Sequence, residues 1–592
     1  MRTFVQVLQE NAVHADRAVT FMRADGEERR VSFPALWKTA CQRAQALLAL
    51  GLKKGDRVAL VLPEPDEFVL TFMACLTAGL VAVPMYPPQT LAKLEAYGDT
   101  VRHILSASGA RVLITSASLR EMLASNVASD AKVLVEADVH GDPERADPPP
   151  PVSLDDLAFL QFTSGSTSKP KGVMVTFGNL AANAHAIMVD GLKSTPEDRG
   201  VSWLPLYHDM GLIGFVVAPL YTLVQVMFLP TMAFIRRPSI WLDAIHRFRG
   251  TITFAPNFAY ALAARAITDG QSKGWDLSCM RALGCGAEPI QADVLRAFLS
   301  RFAPNGLAPT SVLPSYGMAE ATLAITFWDM AKSLKTDVLD VEAMRAGVAR
   351  PPAEDAREPK TMELVACGRP FPGHDLKIAG SRGEALPERH VGEIWVTGPS
   401  VTRGYYGDAD ATEETFGGGW LRTGDLGYVA DGEVFICGRA KDLIIINGKN
   451  YYPQDIEAVV SRAPGVRDGQ CVAFADLDDS GAERCVIVAE AKLGPRAGTM
   501  AEVITQIVQL VRAEVGIVPS EVHLIRRGTL PKTSSGKVRR REAKRRLTLG
   551  DLEFLTDADS KADSLPPSAL AREPAMNRES AYQRPEASDG IQ

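Results

Sequence analysis

The stretch from Arg57 to Met85 constrains the fold more than any other. Arg57-Val-Ala-Leu-Val-Leu62 is an apolar run of strand length, Phe68 to Gly79 has the length and apolar content of a helix, and Val81-Ala-Val-Pro-Met85 is a second apolar run. A strand buried on both faces reads as continuous apolar residues, and two such strands joined by a helix lie parallel. The unit is therefore βαβ, which puts the chain in the α/β class. Helical spacing precedes it at Leu36, Ala40, Ala44, Leu47 and Leu48, and strand–helix alternation continues to about residue 380. Pro148 to Pro151 can extend neither element and mark a connector.

From Gly392 to Val434 the pattern changes to short strands rich in glycine. A second, smaller α/β unit is expected beyond it, with strands near Val472 and Val486–Ala489 and a helix from about Met500 to Val515. The 592 residues exceed what one core supports, roughly 250–300. A hinge is placed near 438–442, dividing residues 1–438 from 439–553, and the Pro-, Ser- and Ala-rich segment 554–592 reads as a disordered tail.

The net charge of −7 gives no electrostatic reason to bind nucleic acid or an anionic membrane. The basic run Arg539 to Arg546 reads as a solvated helix face rather than a nucleic-acid patch. None of the eight cysteines forms a C-x-x-C pair, so no zinc or redox motif is expected and a reducing cytoplasm is the natural compartment. The first ten residues lack the apolar core of a signal peptide. Gly211 to Pro230 is free of charge and as long as a membrane span, but Gly214, Pro219 and Gln225 interrupt it. A buried helix followed by a buried strand is expected there, with no integral membrane association.

Residues 160–175 read Leu-Gln-Phe-Thr-Ser-Gly-Ser-Thr-Ser-Lys-Pro-Lys-Gly-Val-Met-Val. An apolar strand enters a loop of hydroxyls, glycines and two lysines and leaves as another apolar strand. Such a loop suits a polyphosphate: Gly165 admits close backbone approach, the hydroxyls and N–H groups of Thr163, Ser164, Ser166 and Thr167 donate, and Lys171 supplies charge. The Walker A spacing is absent. On composition alone a solvated Ser/Thr-rich hairpin is an equal reading.

The segment T-S-G-S-T-x-x-P-K-G is similar to the phosphate loop of the adenylate-forming superfamily, which includes acyl-CoA synthetases, luciferases and peptide-synthetase adenylation domains. Other motifs of that superfamily occur in its order, and the resemblance covers roughly residues 5–550. It implies a large N-terminal domain of βαβ-type sheets covered by helices with a distorted β-barrel, and a small mobile C-terminal α+β domain. Ser315-Tyr-Gly-Met-Ala-Glu-Ala-Thr322 resembles the motif in which Tyr316 and Gly317 border adenine and Glu320 holds Mg²⁺. Gly284-Cys-Gly-Ala-Glu-Pro289 resembles a segment that brings Gly286 and Ala287 to the adenine, with Cys285 expected to be packing. Trp420-Leu-Arg-Thr-Gly-Asp425 resembles the ribose segment, where Asp425 accepts from the hydroxyls. Gly438-Arg-Ala-Lys-Asp442 matches the hinge motif, with Arg439 on ribose or phosphate and Lys441 at the pivot. Leu530-Pro-Lys-Thr-Ser-Ser-Gly-Lys537 matches the C-terminal lysine motif, which implies that Lys537 bridges carboxylate and α-phosphate in the transition state. Trp203-Leu-Pro-Leu-Tyr-His-Asp-Met-Gly-Leu-Ile-Gly214 resembles the segment that opens the acid pocket, where His208 orients the carboxylate and the apolar stretch after it walls an alkyl tunnel.

Within the superfamily, the chain resembles the fatty acyl-AMP ligases. An extra segment of about Asp329 to Met362, ending in Leu364-Val-Ala-Cys-Gly-Arg369, is similar to their insertion, which is thought to hinder the domain rotation that CoA ligation needs. The run Lys441 to Glu457 ends in the P-Q-D-I-E form of the ligases, and Ala82 to Pro88 and Phe254 to Tyr260 also resemble ligase segments. One departure is Asn447-Gly-Lys, where many ligases carry Arg or Lys before the glycine. The resemblance implies ATP- and Mg²⁺-dependent activation of a fatty acid to its acyl adenylate, then transfer to the phosphopantetheine thiol of an acyl carrier protein. The alternatives are a long-chain fatty acyl-CoA synthetase and a catalytically silent module that senses ATP or lipid.

Overall fold

In the computed structural model the Arg57–Val61 run lies inside a six-stranded sheet. Described are residues 1–88, 94–126, 131–142, 148–163, 169–355, 359–477, 483–494, 497–532 and 537–556. The sheet runs through Lys132–Val135, Val112–Thr115, Arg57–Val61, Val81–Pro84, Leu157–Thr163 and Lys171–Thr176. All its pairs are parallel except the last, which is the antiparallel hairpin leading into and out of the Ser/Thr-rich loop. Ser164, Gly165, Ser166 and Thr167 of that loop lie outside the described residues, as does the expected tail from residue 557.

The predicted helix is Pro65–Thr77, and it is buried almost all round. A helix apolar on every side belongs between layers rather than on a surface. Its Phe72 meets Phe159 of the sheet edge-on, ring centroids 5.8 Å apart. A second sheet of nine strands is parallel from Val312–Gly317 through Ala282–Cys285, Ile252–Ala255, Arg199–Ser202 and Gln225–Phe228 to Ala18–Met22. One continuous core spans both sheets. The stretch expected as short, glycine-rich strands lies in a four-stranded antiparallel sheet, Asp375–Ala379, Gly392–Thr397, Leu421–Ala430 and Glu433–Arg439.

Gly211 to Pro230 is buried, as expected, but not as a regular α-helix. After the short turn Asp209–Gly211 the backbone widens to a π-helical turn at Leu212–Val217 and tightens to a 3₁₀ turn at Ala218–Thr222, before the strand Gln225–Phe228. Pro219 has no N–H to continue an α-helical ladder, and the π turn is the kind of irregularity that concentrates at functional sites. Among the described residues no helix is long and apolar enough to cross a membrane.

After Glu433–Arg439 comes the single turn Ala440–Asp442, which carries Lys441. From Ile444 onward the buried residues, apart from Tyr452, which joins the main core, gather into cores of their own, around Ile456, Ile487, Val503 and Ile507 and around Val472, Phe474, Ile525 and Leu530. The sheet there is Val466–Leu477, Glu483–Ala491 and Glu521–Ile525, with the helix Met500–Glu514 close to its expected bounds.

The extra segment folds as an antiparallel pair, Thr336–Asp340 with Thr361–Val365, joined through the short helix Val341–Arg345. Asp337 ties it to the neighbouring sheet, accepting from the Tyr428 hydroxyl at 2.9 Å and Arg389 at 3.0 Å. Arg296 also holds Glu363 from the helix Ala292–Phe302, and a further set of contacts reaches residues beyond the turn at 440–442. Arg345 lies over the Tyr451 ring at 4.6 Å and donates to the Val515 carbonyl; Glu342 meets Lys449 at 2.7 Å, and Lys360 donates to the Ala513 carbonyl at 2.8 Å.

Candidate active site

The expected site residues come from loops and strand ends spread over the chain, and the fold gathers most of them. Tyr316 ends the strand Val312–Gly317, and its hydroxyl donates to Asp425 Oδ2 at 2.8 Å. Asp425 faces Arg439 across the pair Leu421–Ala430 and Glu433–Arg439, and Arg439 Nε donates to Asp425 Oδ1 at 3.1 Å. Both oxygens of the buried Asp425 therefore have fixed partners. Burial pushes its carboxyl up against the pull of Arg439. Asp425 in turn holds the Arg439 guanidinium above its ordinary value.

Gly317 is required by space: a Cβ there would lie 1.9 Å from the Leu323 carbonyl oxygen. Gly286 is likewise confined, a Cβ falling 2.8 Å from the Ser315 carbonyl oxygen. Next to it Ala287 adopts φ +68°, a left-handed conformation that costs a non-glycine residue free energy. That strain turns the loop after Ala282–Cys285 so that Ala287 lines the cleft while Cys285 stays buried in packing.

Glu320 sits in the turn Ala319–Ala321, buried, with Oε1 accepting from the Tyr405 hydroxyl at 2.8 Å. Burial raises its carboxyl, and among the described residues it makes no salt bridge. Tyr405 also lies under Lys171, whose Nζ is 5.1 Å from the ring centroid and 3.9 Å from Asp408. Thr163 and Lys171 face each other at the base of the phosphate-type hairpin.

Lys537 reaches the same place. Burial lowers its ammonium, while the carboxylates of Glu288, Asp209 and Asp425 pull it back up and Arg439 pushes it down. Half-buried His208 is within its electrostatic reach, and desolvation, with Lys537 adding to it, drives the imidazole down to about 3, so the ring is neutral across the physiological range. Asp209 and Glu288 both have carboxyls raised by burial and eased by Lys537. Glu288 also accepts the Phe258 N–H at 2.7 Å, at the N-terminus of the helix Asn257–Ala266. Sequence reasoning passed over Asp209, Glu288 and Tyr405, because each matters through a neighbour distant in sequence. Lys441 stays apart from the cluster: it is exposed on its turn, 4.0 Å from Glu414.

Beneath these charges lies an apolar cleft enclosing about 690 Å³ of non-protein space, part of it open to solvent. Met188, Leu192, Gly214, Phe215, Phe254 and Phe327 wall it, and Asp209, Ala287 and Tyr316 stand among its polar lining. The π-helical turn contributes Gly214 and Phe215. Half-buried Lys537, an Arg439 held by the buried Asp425, and an apolar slot are what a polyanionic nucleotide and an alkyl acid need side by side. Among the described residues no cluster of three or more His, Cys, Asp or Glu side chains is arranged to hold a metal unaided.

The family model of AMP-binding enzymes matches residues 8–406, and that of the Disco-interacting protein 2-like AMP domain matches residues 441–556. A putative acyl-CoA synthetase of Caulobacter vibrioides is 40% identical over 505 residues, covering 85% of this chain and 87% of that protein. The long-chain-fatty-acid–AMP ligase FadD26 of Mycobacterium tuberculosis is 36% identical over 574 residues, covering 91% and 96%. The medium-chain-fatty-acid–[acyl-carrier-protein] ligase JamA of Moorena producens is 34% identical over 582 residues, covering 93% and 96%. Among solved structures, a fatty acyl-adenylate ligase from E. coli or L. pneumophila superposes with a TM-score of 0.86 at 35% identity, covering 93% of this chain and 98% of that one.

Proposed function

This chain belongs to the AMP-binding enzyme family, and from that premise we propose that it is an AMP-forming ligase that activates a fatty acid as its acyl adenylate and passes the acyl group to the phosphopantetheine thiol of an acyl carrier protein. The observation that carries the reading is half-buried Lys537 within electrostatic reach of Asp209, Glu288, Asp425 and Arg439, beside an apolar cleft that Asp209 lines. The fatty acid's alkyl chain fills the cleft, and its carboxylate meets neutral His208 and cationic Lys537. One carboxylate oxygen attacks the α-phosphorus of ATP, the bond to the β-phosphate breaks, and pyrophosphate leaves. Lys537 offsets the negative charge that accumulates on the α-phosphoryl oxygens. In the second step the carrier thiol attacks the acyl carbon, forming a thioester and releasing AMP.

Asp425 and Arg439 are assigned to the ribose, Tyr316, Gly317, Gly286 and Ala287 to the adenine, and Thr163, Lys171 and the loop between them to the phosphates. Lys441 is assigned to the pivot. Mg²⁺ fits Glu320: it is a buried carboxylate, without a salt bridge among the described residues, beside the phosphate hairpin, and Mg²⁺ commonly binds through one carboxylate plus substrate phosphates and water. When bound it neutralises charge on the leaving pyrophosphate. The free state of all eight cysteines supports a reducing, cytoplasmic setting.

A second reading, acyl-CoA synthetase, has one observation in its favour, the name of the Caulobacter relative. The contacts of the 336–365 segment with residues 449–515 favour the ligase, because they tie together parts that CoA ligation must move. Purified protein with ATP, Mg²⁺, a twelve-carbon acid and either CoA or a phosphopantetheinylated carrier, read by mass spectrometry, decides between them. Acyl-AMP and acyl-carrier without acyl-CoA is the expected result. Abundant acyl-CoA would overturn the ligase reading, and no product with acids of any length would overturn both.

A further inference from the structure

Lys537 sits on a loop fixed at both ends. On the entering side, buried Leu530 donates its N–H to the fully buried carboxylate of Glu490 at 3.0 Å. On the leaving side, the Arg539 N–H donates to the Pro531 carbonyl at 2.9 Å and Lys532 pairs with Val538 as an antiparallel bridge. Residues 533–536 lie outside the described residues.

Arg540 follows directly and opens the helix Arg540–Leu549. Its Nε and Nη2 donate to Glu457 Oε1 and Oε2 at 2.7 and 2.6 Å, and its Nη1 donates to Asp442 Oδ2 at 3.2 Å. The three side chains are shielded, 19% exposed for Arg540, 13% for Glu457 and 15% for Asp442. Glu457 belongs to the helix Pro453–Val460 and also accepts the Ala473 N–H at 3.0 Å. Asp442 closes the turn that carries Lys441. One guanidinium thus joins the base of the lysine loop, a core helix and the turn expected to be the hinge.

We propose that Arg540 is a positioning residue: its three-way fork to Glu457 and Asp442 fixes where Lys537 stands relative to the 440–442 turn. The inference rests on the reading of Lys537 as the adenylation lysine. A planar guanidinium holding a carboxylate through two parallel bonds fixes direction as well as distance, which an ammonium cannot do. Arg540 lies three positions after Lys537, so the chain between them can span at most about 10 Å from that anchor. A displacement of about 1 Å at a reacting group costs on the order of a hundredfold in rate. The basic run that looked like a solvated helix face is therefore divided in its task, with Arg540 turned inward.

The test is a double-mutant cycle on acyl-AMP formation, using R540K, K537A and R540K/K537A with folding checked by circular dichroism. R540K keeps the charge and loses the fork. It is expected to lower kcat at least tenfold with little change in the KM for ATP, and to cost nothing further in the K537A background. Wild-type kcat in R540K, or an equal additional loss in the double variant, would overturn the proposal. If R540K does not fold, E457Q replaces it in the cycle with the same expectations; its amide oxygen can still accept the Ala473 N–H. A K537A protein at the wild-type rate would overturn the lysine assignment itself, which distinguishes that failure from failure of the fork.

Discussion

Replacing Gly214 by Val is expected to shorten the longest acid that the protein activates well. Gly214 lies in the π-helical turn Leu212–Val217 and lines the apolar cleft. A Cβ added there meets only Leu323 Cδ2, at 3.5 Å, an ordinary contact, so Ala fits without displacement. The two further methyls of Val have to enter the cleft, where they take the place of about two substrate methylenes. Each methylene kept from burial costs about 0.8 kcal/mol. Two cost about 1.6 kcal/mol, a loss of about fifteenfold in kcat/KM, since about 1.4 kcal/mol is a factor of ten. The loss should fall only on acids long enough to pass Gly214. Gly317 also lines the cleft but is unsuitable, because any side chain there collides with the Leu323 carbonyl. The assay is pyrophosphate release with acids of six to sixteen carbons for wild type, G214A and G214V. G214A should follow the wild-type profile and G214V should lose the long acids. A uniform loss at every chain length, or an unchanged profile, would refute the placement of the alkyl chain along Gly214.

Two further expectations concern the contact between the 336–365 segment and the residues beyond the hinge turn. Replacing Arg345 and Lys360 together by Ala removes the Tyr451, Val515 and Ala513 contacts and is expected to let acyl-CoA appear where wild type makes none; no acyl-CoA would mean that these contacts do not restrain the second half of the chain. Asp455, in the same region, has its carboxyl raised to about 7 by burial, eased by Arg345 and pushed further by Glu457. The folded state therefore holds a proton that the unfolded state has released, so stability falls as pH rises from about 4 to about 7. D455N should flatten that part of the stability–pH curve in denaturant melts, and an unchanged slope would count against the shift.

The sheets were legible because parallel strands covered on both faces must be apolar throughout, as at Val58–Val61 and Val81–Val83, and no other arrangement of such runs buries them. The motif residues were legible by type and order: Tyr316, Arg439 and Glu320 lie at strand ends or a turn, Asp425 lies mid-strand opposite Arg439, and chain neighbours fix their spacing. What escaped is pairwise and distant. Nothing in the sequence around Tyr405 says that its hydroxyl serves Glu320 and its ring serves Lys171. Hydropathy also cannot separate an α from a π turn, since Leu212–Val217 is apolar on every side and its winding depends on Pro219 and the packing around it. Arg540 looked like its neighbours Arg539 and Arg541, and only the tertiary placement of Glu457 and Asp442 distinguishes it.

On the proposed adenine and ribose assignments, the Tyr316–Asp425–Arg439 chain limits what the nucleotide can find. A carboxylate offers about four lone-pair positions. Tyr316 takes one on Oδ2 and Arg439 takes one on Oδ1, which leaves about two, the number that a ribose with adjacent hydroxyls requires. The hydroxyl that reaches Asp425 also fixes the rotation of the Tyr316 ring, and so the plane that an adenine would lie against. On those assignments, base and sugar recognition form one unit built from two sheets, held by bonds that exist before any ligand arrives. Arg439 is the last residue before the 440–442 turn, so on the proposed assignments the nucleotide's seat lies ahead of that turn and Lys537 beyond it. In the proposed two-step reaction, that separation leaves the adenylate's seat independent of the lysine that helps form it.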